Sequence, residues 1–186
     1  MQVKIYKNFL NVEECNALND VARLGVLEGW VSEALSRGQR NYTKRLTSRF
    51  HMEKAEYPPL VYAVSAKVRE FLGVESFPLI EGHGKNGVVV SYTMEGGDVY
   101  KHLDGLSADG LPTYRCNILT QASEAGGELF VDDKKIDIAV GDLHCYMVSE
   151  LEHYATEVKG KTPRIMWMFG AHIPKTHWEE YGVKNA

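Results

Sequence analysis

The segment that opens Gly87-Val88-Val89-Val90-Ser91-Tyr92 and closes Arg164-Ile165-Met166-Trp167-Met168-Phe169 decides the fold. Between these ends lie five further short runs punctuated by glycine: Val99 to Leu103, Tyr114 to Thr120, Glu128 to Val131, Ile136 to Val140 and Leu143 to Val148. Short β-rich runs at this spacing predict a sandwich or a barrel-like jelly roll. Upstream the texture is helical. Asn11 followed by Glu14 forms a capping-box pattern, and Val12, Cys15, Leu18 and Ala22 recur at helical spacing, which predicts a helix from about 12 to 24. Pro58 and Pro59 open a second helix with the apolar stripe Val61, Val64, Val68, Phe71 and Leu72, ending before Gly73. No internal repeat or low-complexity linker divides the chain. A single domain is therefore expected, with a helical front over about 1–77 and a jelly-roll core over about 78–175.

The chain has 186 residues, 44% apolar and 25% charged, as an ordinary globular domain has. Its 21 basic against 25 acidic residues give a net charge of -4, so nothing global draws it to nucleic acid or to an anionic membrane. One local excess is hidden by that balance. Residues 37–52 hold Arg37, Arg40, Lys44, Arg45 and Arg49 without an acidic residue, either a solvated face or a site for an anionic substrate or acidic partner. Cys15, Cys116 and Cys145 are odd in number, with no CxxC pair, and argue against a disulfide framework. No secretory signal is visible and no apolar run approaches the ~20 residues that span a bilayer. A cytoplasmic protein is expected; the sequence is silent on oligomeric state.

The strongest chemical signal is His102-Leu103-Asp104. On a strand, residues i and i+2 share a face, so imidazole and carboxylate converge. Such triplets also arise by chance, and a third ligand is needed. His153, at the start of a strand-like segment, is the best candidate, against the alternative of a surface histidine in an acidic loop. Two histidines and a carboxylate occupy three positions of an octahedral iron and leave three open. Further on, Arg164 enters an almost wholly apolar strand. Unless it snorkels to water, a buried guanidinium there needs an anion, and its planar fork matches a terminal carboxylate such as that of a dicarboxylate co-substrate. His144, beside Cys145, reads as a packed strand histidine, and His51, His83, His172 and His177 lack ligand-like partners.

From about Gly87 to Pro174 the chain resembles the prolyl 4-hydroxylase-like branch of the 2-oxoglutarate- and Fe(II)-dependent oxygenases. The resemblance is carried by His102 and Asp104, Gly126-Gly127-Glu128, Gly141-Asp142, His153 and Arg164, all in the family's order. It implies a mainly β fold with N-terminal helices (α+β), the cupin-like double-stranded β-helix or jelly roll. It implies that His102, Asp104 and His153 hold Fe(II) and that Arg164 fixes the distal carboxylate of 2-oxoglutarate. O2 would be the second co-substrate, ascorbate an accessory reductant, and an unactivated C–H bond of a small molecule, amino acid or peptidyl residue the target, with release of succinate and CO2. The retained Asp104 disfavours the related halogenases.

The resemblance also gives Tyr92 a contact with 2-oxoglutarate; a core tyrosine bonded to backbone is the competing reading. Where some relatives carry a second tyrosine, aligned by Arg115, this chain has Gln121 and Ala122. Asn117 and Thr120, on opposite faces of the strand, are both candidates to supply the missing hydrogen bond. For the substrate, the short domain leans toward a small molecule, with 37–49, 82–87 and 105–114 expected at the entrance. Two other readings stay open: a non-catalytic jelly-roll binding or sensing module, and a zinc hydrolase using the same ligands.

Overall fold

The computed structural model describes residues 3–33, 44–48, 57–75, 88–107, 110–174 and 176. After β1 (Lys4–Tyr6), α1 (Val12–Glu28) begins with the expected reciprocal cap: the Glu14 amide donates to Asn11 Oδ1 at 2.8 Å, and the Asn11 amide to the Glu14 carboxylate at 2.9 Å. The helix runs past its expected end at residue 24. Gly25 stays inside it because a side chain there would meet the Trp30 ring and Val31 at 2.6 Å, and Gly29, at φ +81°, makes the stop. β2 (Ser32–Glu33) and β3 (Arg45–Thr47) precede α2 (Pro59–Leu72), which starts and ends as its prolines and Gly73 predict.

The strands follow as β4 (Val89–Thr93), β5 (Val99–His102), β6 (Thr113–Gln121), β7 (Ala125–Gly126) and β8 (Leu129–Val131). Next come β9 (Lys134–Lys135), β10 (Leu143–Met147), β11 (His153–Ala155), β12 (Val158–Lys159) and β13 (Arg164–His172). A large antiparallel sheet has the order β1-β10-β6-β13-β4-β3-β2, a smaller one the order β5-β11-β8-β9, and β12 pairs with β7. The mainly β architecture with two helices agrees with the expected class. The run Ile136 to Val140 is a correction. Ile136 donates one backbone hydrogen bond to Leu129, at 2.9 Å, but the segment forms no strand, and its alternation serves only to press Ile136 and Ile138 onto buried clusters.

Strand alternation gives the large sheet two unlike faces. On one, Ile165, Trp167 and Phe169 of β13, Cys116 and Ile118 of β6, and Leu143, Cys145 and Met147 of β10 pack against Leu18 and Ala22 of α1 and Val61, Val64 and Val68 of α2. Each large aliphatic or aromatic side chain buried there contributes about 1.5–3 kcal/mol relative to exposure. On the other face, Leu119, Met166 and Met168 form one patch, while Tyr146 and Val148 meet Leu129 and Val131 of the smaller sheet. The three cysteines are buried and free, and no described helix is long and apolar enough to cross a membrane.

The Gly141-Asp142 turn is an anchor for the N-terminal segment. Gly141, at φ +89°, lies so close to Leu10 that a Cβ would fall 2.4 Å from its carbonyl oxygen. The buried Asp142 carboxylate accepts from the Ala139 and Asn8 amides at 2.8 and 3.0 Å and from Lys7 Nζ at 2.9 Å. Burial pushes its pKa up, but these donors outweigh burial and hold it below the usual value. Asp142→Asn should therefore cost about 1–3 kcal/mol, read as a melting temperature several degrees lower at pH 7. Because the folded-state pKa is depressed, the wild-type advantage is full above the ordinary carboxylate range and should shrink as pH falls through it.

Candidate metal centre

In the antiparallel pairing of β5 with β11, His102 and His153 stand directly opposite one another, and their ring centroids are 4.3 Å apart. Asp104 follows two residues on, its backbone amide donating to Val148 at 2.9 Å. One ligand atom each from His102, Asp104 and His153 lies within 4.8 Å of the other two.

The tautomers follow from hydrogen bonding. His102 Nδ1 is 2.7 Å from the Tyr100 carbonyl and His153 Nδ1 is 3.1 Å from that of Leu151. A carbonyl only accepts, so each Nδ1 carries the proton and each Nε2 presents a lone pair, the arrangement a metal ligand needs. Burial, with the neighbouring His102 second, brings His153 down to about 4, so it is neutral at pH 7 before any metal arrives. Asp104 is pushed up by burial, but the Arg115 guanidinium bonded to Oδ2 outweighs this and holds it well below the carboxylate range. Two imidazole nitrogens and a carboxylate oxygen match the donor set of a facial-triad iron site.

Arg164 opens β13 opposite Thr93 of β4. It is 4% exposed, and among the described residues no carboxylate pairs with it. Arg45 of β3 stands opposite the same Thr93 from the other side. Burial first, and Arg45 second, lower the Arg164 pKa to about 10. Gly127 makes room for this side chain: it adopts φ +65°, and a Cβ there would lie 2.7 Å from Arg164 Cδ. With Leu119, Ala122, Leu129 and Ile138, Arg164 lines a cavity of about 200 Å³. Glu128, Lys135 and Asp137 also line this cavity, but among the described residues neither carboxylate pairs with the guanidinium, which suits it to a carboxylate ligand.

Of the other sequence candidates, the structure brings only Asn117 to this inner face, opposite Met168 on one side and His144 on the other. Tyr92 is a correction. Thr93 takes the Arg164 face, so its neighbour Tyr92 points the other way and packs with Leu46 and Ile165 in the helix-side core. Thr120 lies at an irregularity between β6 and β13, its hydroxyl donating to the Ile165 carbonyl at 3.4 Å. Gln121 donates to Pro163 at 2.7 Å and accepts from Arg23. Sequence reasoning missed the Arg115 contact with Asp104 and the inward placing of His144 and Tyr146. Alternation of β6 from Arg115 and of β10 from His144 was the available signal. Of the basic stretch, Lys44 and Arg45 are described; Arg37, Arg40, Arg49, His51, His83, His177 and the 82–87 loop lie outside the described residues.

No family model and no curated protein matches the chain at the level of sequence. Its fold is similar to those of several solved prolyl hydroxylases. A Pseudomonas putida prolyl-4-hydroxylase superposes with a TM-score of 0.64 at 17% identity, over 92% of each chain. The viral collagen prolyl hydroxylase of Paramecium Bursaria Chlorella virus-1, in its 2OG complex, gives 0.63 at 17%, over 93% of this chain and 97% of that one. A Trichoplax adhaerens prolyl hydroxylase, in complex with a peptide fragment of the hypoxia inducible factor oxygen degradation domain, gives 0.66 at 12%, over 99% and 87%. At these identities the likeness is one of fold.

The unpaired guanidinium yields a stability test. Replacing a buried, uncompensated charge by an apolar side chain of similar length is often neutral or stabilising by about 1–4 kcal/mol. Arg164→Met should melt at or above the wild-type temperature without ligand, as measured by calorimetry; a drop of several degrees would show that Arg164 is already satisfied.

Proposed function

We propose that this chain is an Fe(II)- and 2-oxoglutarate-dependent hydroxylase on a double-stranded β-helix. The observation that carries the reading is the pairing of two imidazole lone pairs and an ionised carboxylate within 4.8 Å of one another. Arg164 on the neighbouring inner face, with no carboxylate paired to it among the described residues, supports it. A zinc hydrolase on the same three ligands would give Arg164 no role, and a binding module would have no need of two histidines held in the ligating tautomer.

His102, Asp104 and His153 would hold the iron, and Arg164 the distal carboxylate of 2-oxoglutarate. When bound, the metal and co-substrate supply activation of O2 coupled to oxidative decarboxylation, giving succinate, CO2 and a hydroxylated C–H bond. The protein's share is electrostatic and steric. Leu151 and Tyr100 carbonyls keep both imidazole protons away from the metal side. Arg115 occupies one carboxylate oxygen of Asp104, leaving the other for coordination.

For the substrate, the structural neighbours are described as prolyl hydroxylases and one holds a peptide, which favours a peptidyl residue over the small molecule toward which the sequence leaned. The rim agrees. Tyr100, Leu103 and Leu106, on and beside the ligand-bearing strand, are all more than 40% exposed, an apolar surface suited to an aliphatic side chain. Free, buried cysteines favour the cytoplasm as the working compartment.

Anaerobic addition of Fe(II) and then 2-oxoglutarate should produce the weak visible charge-transfer band of the chelate. Arg164→Met should weaken 2-oxoglutarate binding roughly tenfold or more while leaving Fe(II) binding unchanged; equal loss of both would contradict the assignment. His153→Ala should lower iron occupancy and abolish succinate release, and a variant with near-normal succinate production would remove His153 from the ligand set.

A further inference from the structure

β6 and β10 lie side by side in the large sheet, with Asn117 directly opposite His144. His144 points to the same face as Tyr146, two residues on, which packs against the small sheet. It is completely buried. Yet neither ring nitrogen has a hydrogen-bond partner among the described residues, and neither does Asn117 Oδ1. Ile5 of β1 stands opposite His144 on its other side, the Tyr146 ring stacks at 6.3 Å, and Met168 lies beyond Asn117; none of them is hydrogen-bonded to the imidazole.

Buried polar groups are almost always paired, and each one left unpaired costs about 1–3 kcal/mol. A leucine or phenylalanine would fill the same volume without that cost, so packing alone gives no reason for an imidazole. The contrast with His102 and His153 is direct, since both of those anchor Nδ1 on a carbonyl. Burial first, and the nearby Arg164 charge second, lower the His144 pKa to about 3. The ring is therefore neutral at working pH, with one N–H to give.

We propose that His144 is a further co-substrate-binding residue, its ring N–H donating to the same far carboxylate that Arg164 pairs with. The inference rests on the reading of Arg164 in the preceding section. A carboxylate has two oxygens and accepts from both groups at once: the guanidinium supplies charge and the neutral imidazole supplies direction. It also supplies the hydrogen bond for which Asn117 and Thr120 were the sequence candidates, since Thr120 is engaged with Ile165.

The test uses metal-loaded protein under anaerobic conditions and compares two keto acids, 2-oxoglutarate and 2-oxobutanoate, which lacks the second carboxylate. His144→Phe should weaken 2-oxoglutarate roughly tenfold and leave 2-oxobutanoate and Fe(II) affinities unchanged, and His144→Gln, which keeps an N–H, should recover most of the loss. Equal weakening of both acids would mean a structural role and overturn the inference, as would a phenylalanine variant with unchanged 2-oxoglutarate affinity. A wild type that binds both acids equally would overturn the Arg164 reading and this inference with it. If neither variant folds, the zinc-loaded wild type labelled with 15N-histidine decides. A new, exchange-protected ring N–H signal with 2-oxoglutarate and not with 2-oxobutanoate supports the proposal; the same spectrum with both overturns it.

Discussion

The cross-strand pairing of His153 with His102 is the constraint on which the rest depends. Antiparallel register allows no half measures: a slip of one residue turns every side chain to the other face, and β11 is only three residues long. Its register is held from both sides, by β5 and by β8, where His153 faces Val131 and Ala155 faces Leu129. The irregularity between His153 and Ala155 on the β5 side falls just past the ligand and leaves the His153–His102 pairing in register.

Among the described residues, Arg115, Arg45 and Arg164 share the inner face of the large sheet and do different things. Arg115 is joined to Asp104 and keeps that carboxylate anionic against the burial that would protonate it. Arg45 donates from Nε to Ser91 at 3.0 Å and lies close enough to Arg164 to oppose its charge. Arg164 alone is buried with no carboxylate beside it among the described residues. Like charges gathered around a buried cation raise its free energy in the empty protein, and an incoming anion relieves both the desolvation and the repulsion. Such a site gains affinity because it is poorly satisfied without its ligand.

Much of this was legible in the sequence. Alternating runs, two helix stripes and the capping box gave the architecture, and the i, i+2 spacing of His102 and Asp104 put them on one face. Pairing across distance was harder. That His153 would face His102 followed from topology, which no local pattern encodes. Tyr92 was misplaced because its role came from resemblance, while the parity that turns it to the helices is set by how β4 registers against β13. His144 reads as packing because a buried histidine ordinarily has a partner, and only coordinates show that this one has none among the described residues. The Ile136 to Val140 run alternates as a strand does but makes one backbone bond, from Ile136 to Leu129, and no ladder; alternation reports a buried face, not a ladder.

The division between the two faces of the large sheet explains how the fold tolerates such a site. Orphaned nitrogens on His144, an unpaired Oδ1 on Asn117 and an uncompensated Arg164 each subtract stability of the order of a few kcal/mol. All sit on the inner face. The helix-side face is more uniformly apolar: Trp167, Phe169, Ile165 and Ile118 are at most 1% exposed against α1 and α2, although the Trp167 indole nitrogen is itself an orphaned polar atom there among the described residues. A sheet whose strands are shared by both faces lets one side supply the free energy that the other forgoes. The helices, which bring none of the candidate site residues, thereby become a requirement for the chemistry, because without their apolar stripes the same strands would have to fill their inner face with leucine.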